Sequence, residues 1–274
     1  MVLRLVKEIT SKVYFSENCS RENFVSKLLK IFNHSLGQAK RVFVKPNIVS
    51  YEGYPTTTHP EMLEAVLNGI AHKEVLVGDG PAIDAGRSGK IIEESPLNRV
   101  CNDHGLKLLN LYSEKMKTVT SSRGYKLRVS TLPSTCDLVI SIPVLKIHGM
   151  VGLSGALKNQ FGYLSRRDRL LMHCGLKSLN KGIAEVNAAV QTDLFIVDAL
   201  ETMINAQECR HGGCPAEMKM IVAGIDPVSI DLFGLKMLEK IEPKFLNRKR
   251  QALKYIDYAS SYLLGSKNFE TIKV

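Results

Sequence analysis

Short β-branched runs alternate along this chain with stretches whose apolar residues stand at helical spacing. Residues 3–14 alternate like a strand, and Phe24, Leu28, Leu29 and Phe32 predict an amphipathic helix over Asn23–Phe32. Arg41–Val44 predicts a short strand that ends at Lys45-Pro46-Asn47, followed by a loop over 50–58. Met62, Leu63, Val66 and Ile70 predict the next helix, with Thr58 as its cap and Glu61 completing a capping box. Glu74–Val77 predicts a strand closed by the turn Gly78-Asp79-Gly80-Pro81. A mobile loop and helix over 82–95, a helix from Pro96 to His104 capped by Gly105, and a strand over Leu106–Leu111 follow. Residues 113–132 read as a hairpin turning at Arg123-Gly124.

The centre of the pattern is 136–164. Leu138–Ile142 is too short for a helix and fits one buried strand, stopped by Pro143. Lys146 and His148 sit just past that strand end. Gly149, Gly152, Ser154 and Gly155 follow, then Lys158 and Asn159. A strand, a glycine-rich loop and a lysine have the shape of an anion cradle, although the spacing is not that of a Walker A loop. A plain strand-to-helix turn with a solvated Lys158 fits the same residues. Beyond it lie Arg166, Arg167, Asp168, Arg169 and His173-Cys174, a basic segment that is either solvated or suited to an anion. A helix over Gly182–Val190, a strand over Leu194–Val197 ending at Asp198, a loop over Glu201–Pro215, a strand over Lys219–Ala223 and a helix over Val228–Leu238 complete the pattern, and the last thirty residues read as helical and basic.

About seven strands alternating with helices predict an α/β fold of the doubly wound type, with a mostly parallel sheet and crossover helices. Lys45, Asp79, Lys146, His148, Asp198 and Asp226 all fall at expected strand ends, so one crevice at the C-terminal edge would collect several of them. His59 is expected in a first helical turn near the edge that carries Lys45. A helix N-terminus disfavours a protonated imidazole there, which suits a base.

Composition narrows the partners. The 274 residues are enough for a single α/β domain, and 45% hydrophobic content allows a substantial core. A net charge of +10 favours anionic partners. Much of the excess lies in the run Lys236–Lys254, read as a solvated helical face within a basic helical segment over 236–274. Nucleic acid is disfavoured because stacking aromatics are sparse and no nucleic-acid module is visible. The six cysteines form no CxxC pair. Cys209, His211 and Cys214 could bind zinc, but a fourth ligand is not obvious. No apolar run is long enough for a membrane span, and the N-terminus lacks the core of a signal peptide, so a cytoplasmic protein is expected.

Lys45-Pro46-Asn47, Thr58-His59-Pro60-Glu61, Gly78-Asp79, Asp137–Gly162, Asp198 and Ala223-Gly224-Ile225-Asp226-Pro227 together resemble the family called domain of unknown function 362, over roughly residues 40 to 235. Members of that family are often associated with ferredoxin-like iron–sulfur modules, but this chain lacks the cysteine set for one. Ile147 and Gln160 depart from the family's usual threonine and leucine. The chain is also similar, more distantly, to nickel-pincer lactate racemases. In those a His precedes a glycine-rich loop and a lysine that tethers a pyridinium-derived cofactor. A further His ligates nickel, and an upstream His pairs with the first for proton transfer. Here Lys158 follows His148 by ten residues, His173 follows it by twenty-five, and His59-Pro60 lies upstream.

The resulting expectation is an enzyme for a small carboxylate- or phosphate-bearing ligand, for which the second resemblance implies racemase- or isomerase-like chemistry. The acid–base residues would be His148 and His59, with Lys146 beside them. Lys158, Gly152, Ser154, Gly155, Asn159, Lys45, Asn47 and Asp79 would hold the ligand or cofactor. His173 would ligate a nickel, zinc or iron ion. The alternative expectation is a non-catalytic electron-transfer or cofactor-delivery protein that docks an acidic ferredoxin-like partner.

Overall fold

The computed structural model describes residues 10–242 and 245–274; residues 3–9 of the first expected strand lie outside them. The chain runs β1 Ser11–Glu17, α1 Arg21–Ile31, α2 Asn33–Gln38, β2 Arg41–Pro46, α3 Pro60–Gly69, β3 Glu74–Asp79, α4 Ser88–Glu94, α5 Pro96–Asp103 and β4 Leu108–Asn110. It continues β5 Met116–Thr120, β6 Lys126–Ser130, β7 Leu138–Ile142, β8 Lys146–His148, β9 Gly152–Ser154, α6 Ala156–Asn159, α7 Arg166–His173 and α8 Leu179–Ala189. It closes with β10 Leu194–Ile204, β11 Cys214–Gly224, α9 Pro227–Ile241, α10 Leu246–Ser261 and β12 Phe269–Lys273.

Eight strands form one mixed sheet in the order β12-β1-β11-β10-β7-β2-β3-β4. The run from β10 to β4 is parallel, as is the β1–β12 pair, while β11 is antiparallel to both neighbours. Alternation within the strands feeds two cores. Val42, Val44, Ile140, Ile142 and Ile196 join α1, α3 and α5 on one face; Phe43, Val139, Phe195 and Val197 join α8, α9 and α10 on the other. Strands covered on both faces have no polar face, which is why they read as continuous apolar runs.

The chain places β3 and β4 on one side of β2, then crosses back to place β7 and β10 on the other. This reversal opens a crevice beyond the C-terminal ends of β2 and β7, where ligands bind in open α/β sheets. Asn47, Asp79 and Lys146 all emerge there.

Several expected elements differ. The loop over 201–215 shrinks to 205–213, because β10 and β11 extend as a long antiparallel hairpin. The last thirty residues are not all helical; they end in β12, which pairs with β1. Thr58 does not cap α3. Its hydroxyl accepts from the Asn47 amide and donates to the Ile142 carbonyl, joining the ends of β2 and β7. His59 is the cap, accepting the Glu61 amide at Nδ1. Asp226 leaves the expected crevice altogether: β11 runs antiparallel, so its C-terminal end lies at the opposite edge, where Asp226 caps α9.

Candidate functional site

A cavity of about 770 Å³ opens at the β2/β7 reversal. Its wall includes Asn47, Asp79, Lys146, His148, Ser154, Lys158, Asn159, Arg169, His173 and Arg248. The hairpin tip between β10 and β11 contributes Gln207, Glu208 and His211.

The floor is an ion pair. Lys45, fully buried in β2, donates to Asp79 Oδ1 at 2.6 Å, to the Pro46 carbonyl at 3.1 Å and to Asn159 Oδ1 at 3.3 Å. Asp79 also accepts the Ile48 and Gly80 amides. A Cβ at Gly162 would come within 2.0 Å of Asp79 Oδ1 and 2.7 Å of Lys45 Nζ, so only glycine lets that backbone close over the pair. Lys45 is therefore no free cation for a ligand, because Asp79 already neutralises it. Asn159 is likewise occupied, its amide holding Ser141 of β7. It braces the wall from within.

The glycine-rich loop is not an open cradle. Residues 146–154 form the β8–β9 hairpin, and the amides at the start of α6 are already taken: Ala156 and Leu157 donate to the Asp231 carboxylate at 2.6 and 3.2 Å. A Cβ at Gly155 would meet Asp231 Oδ1 at 2.3 Å. Gly152 has φ +80°, and a Cβ there would meet the Arg248 carbonyl at 2.0 Å. Gly152 and Gly155 thus admit α10 and α9 to close range. Burial raises the Asp231 carboxyl to about 7, against the two amide donors that favour its charged form.

Four cationic side chains line the cavity without an acidic partner among the described residues. Burial draws Lys158 down to about 7, reinforced by Arg169 and Lys146, and the amine rests 4.3 Å from the centre of the Phe161 ring. Lys146, also drawn by burial to about 7, donates to the Thr56 carbonyl. Arg169 donates to the Gly80 carbonyl and the Tyr112 hydroxyl, leaving its Nε without a partner. Arg248 Nη1 is buried and unpartnered. The carboxylates of the wall, by contrast, all stand in ion pairs: Asp79 with Lys45, and Glu208 and Asp84 with the one guanidinium of Arg210.

Two imidazoles face this field in opposite tautomers. His148 accepts the Met150 amide at Nδ1, so its neutral form carries the proton on Nε2. Burial, then Lys158 and Lys146, hold it well below the usual imidazole range. His173 Nδ1 lies 2.7 Å from the Arg169 carbonyl, which can only accept, so Nδ1 carries the proton and Nε2 keeps its lone pair. Burial lowers His173 as well, ahead of the opposing Arg169 carbonyl.

His59 is not in this group. It stands at the α3 terminus, edge-on to Tyr54 at 5.0 Å, beside a separate buried network in which Arg21 and Tyr54 both bond Asp198. Asp198 lies inside β10 and serves that network. The possible zinc trio is not assembled either: His211 Nε2 faces Asp84 at 3.3 Å and Glu208 at 3.5 Å. Among the described residues no three His, Cys, Asp or Glu side chains are grouped to hold a metal, and all six cysteines are free. Also among the described residues, no helix is long and apolar enough to cross a membrane.

Arg248 and Asp231 were missed from the sequence. Arg248 sits in a basic run that looks like a solvated face, and Asp231 in an ordinary amphipathic helix; neither spacing marks a site.

Residues 42–236 match the family described as Domain of unknown function (DUF362), and the chain belongs to it. A thylakoid-associated protein of Synechocystis is 25% identical over 207 residues, which cover 73% of this chain and 63% of that protein. The lactate racemase apoprotein of Thermoanaerobacterium thermosaccharolyticum shares the fold, with a TM-score of 0.56 at 14% identity, over 83% of this chain and 57% of its own. A Thermotoga maritima protein aligns over 90% of this chain and 60% of its own at 16% identity, with a TM-score of 0.43. The chain thus spans about three fifths of the length of these proteins.

Proposed function

We propose that this DUF362-family chain is an enzyme that binds a small carboxylate- or phosphate-bearing molecule in the cavity and transfers a proton on it. One observation carries the reading: the Lys158 amine sits in the cavity wall with no acidic partner among the described residues, in a wall that Arg169 and Arg248 also line. An anion entering there replaces water around cations that the protein leaves uncompensated. Protonated Lys158 and the two guanidiniums would orient it, and Ser154 and Asn47 Oδ1, the latter buried without a partner, would contact its polar groups. His173, with a free Nε2 lone pair, would take the proton as a base, and neutral His148 would donate its Nε2–H hydrogen bond to the substrate oxygen on which charge develops. That pair suits an isomerase- or racemase-like proton transfer. It replaces the expected pairing of His148 with His59, which lies outside the cavity wall.

The residues also fit the cofactor that the racemase resemblance implies. Lys158 offers an amine without an acidic partner among the described residues, about half of it neutral and nucleophilic near pH 7, and His173 Nε2 could ligate a borderline metal. Such a group would supply an electron-poor ring and a metal centre beside the substrate. With no three-ligand group among the described residues, the organic part would have to complete the metal's coordination. The two roles of His173 exclude each other, because base and ligand use the same lone pair.

The test is calorimetric titration of the whole chain with orthophosphate, malonate and acetate, together with the metal content and intact mass of the purified protein. Saturable binding at one site, lost in Lys158→Met, is expected; no binding of any of them by the unaltered chain would overturn the reading. A mass adduct on Lys158 would assign it the cofactor. A metal-free, unmodified protein that binds none of these anions and co-purifies with an acidic protein would favour the partner role.

A further inference from the structure

Counting charge around the cavity identifies its ligand more closely. Two cations serve the three carboxylates of the wall, which leaves one negative charge in excess where Glu208 acts on Lys146: Asp79 has Lys45 as its ion-pair partner, while Glu208 and Asp84 share Arg210. The remaining cations have no ion-pair partner among the described residues. Lys146 has a carbonyl, Lys158 a ring face, Arg169 a carbonyl and a phenol, and Arg248 Nη1 nothing among the described residues. Arg169 and Arg248 cannot shed their protons, so two permanent positive charges face the cavity whatever the lysines do. They reach it from separate elements, α7 and α10. A monoanion would leave one of them desolvated and unmatched, an arrangement that costs free energy.

Arg248 is also held in place. The α10 backbone seats directly on Gly152, where a Cβ would come within 2.0 Å of the Arg248 carbonyl and 2.8 Å of the Ala252 nitrogen. On the same hairpin, Nη1 lies 3.9 Å from the Cβ position of Gly149, the residue after His148. Backbone packing thus seats α10 on the hairpin, and Arg248 lines the cavity from there. Arg248 lies beyond residues 42–236, so this contact comes from outside the segment that matches the family.

We propose that the ligand is a small dianion, a phosphate monoester or a dicarboxylate, and that Arg248 holds its second negative charge. This rests on the cavity being an anion site, as argued above. Arg248 is then a specificity residue: it separates dianions from monoanions that Lys158 and Arg169 would accept alike. The fork of its guanidinium matches the paired oxygens of either group.

The test is calorimetric titration of the whole chain and Arg248→Gln with three probes, acetate, malonate and orthophosphate, at pH 7.5 and low ionic strength. Arg248→Gln is expected to weaken a dianion by roughly tenfold, the effect of losing one charge-assisted contact, while acetate moves by less than about twofold. Loss confined to orthophosphate identifies a phosphate monoester, loss confined to malonate a dicarboxylate, and loss of both supports the dianion in general. Equal loss for acetate, or no change for any probe, overturns the inference. If the unaltered chain binds none of the three, the anion-site reading itself fails instead. Should Arg248→Gln not fold, Arg248→Lys carries the test: it keeps the charge without the fork, and a smaller loss still selective for dianions is expected.

Discussion

Lys158 is an ammonium the fold would rather not carry. Its ordinary value of 10.5 falls to about 7 under burial and neighbouring cations. Between those values the unfolded chain binds the proton more tightly, so the group costs stability below about 10.5, fully so below about 7. Removing it should help the fold and harm the site. Lys158→Met is expected to raise Tm by roughly 2–4 °C, the shift that about 1 kcal/mol makes in a chain of this size, while abolishing orthophosphate binding. A thermal melt checks the first and calorimetry the second. The sequence put Lys146, His148 and Lys158 near one strand end, because each follows β7 within a few residues to a single turn of loop and helix, and all three line the cavity, as does His173. It could not show that Lys45 is neutralised by Asp79, since the pairing joins residues on different strands. Nor could it separate His59 from His148, because their separation depends on which side of β2 each loop falls.

At the level of elements, the glycine-rich stretch was legible as special but not as what it is. Its glycines read as an anion cradle. Two of them are points of close approach, Gly155 to Asp231 on α9 and Gly152 to α10. Nothing local to the loop specifies those partners, which lie more than seventy residues on. Gly152→Ala tests the point. Positive φ and the collision with the Arg248 carbonyl should together destabilise the chain by about 1–3 kcal/mol, read from a denaturant midpoint, and speed amide exchange in α10 before the parallel strands. The long β10–β11 hairpin was half visible. Leu194–Val197 and Lys219–Ala223 were recognised, but the polar halves that project past the sheet to carry Glu208 and His211 toward the cavity looked like loop.

Across the whole molecule, the strand reversal decides where chemistry can occur. The alternating pattern predicted a mostly parallel α/β sheet, and the sheet is mostly parallel; that β11 is the antiparallel strand was not legible, and with it Asp226 moved to the far edge. Buried titratable groups near the cavity also shape stability as a whole. Asp231, raised from 3.8 to about 7, contributes stability at low pH that is lost as pH rises through about 7. Lys146 and Lys158, lowered from 10.5 to about 7, contribute stability at high pH that is lost as pH falls through about 7. The contribution of these three groups is therefore smallest near pH 7. Saturating orthophosphate should raise Tm most there and least near pH 10, where the lysines are neutral; melts from pH 5 to 10 with and without orthophosphate check this.

The central claim is that an unpaired amine waits in the cavity for an anion. Its most direct measurement is the rate of acylation of each lysine at pH 7, followed by mass spectrometry with and without orthophosphate. At a value near 7 about half of Lys158 is neutral, so it should react at least roughly tenfold faster than an exposed lysine such as Lys240, and orthophosphate should slow it selectively. Lys158 reacting no faster than Lys240, with no protection by orthophosphate, would contradict the account.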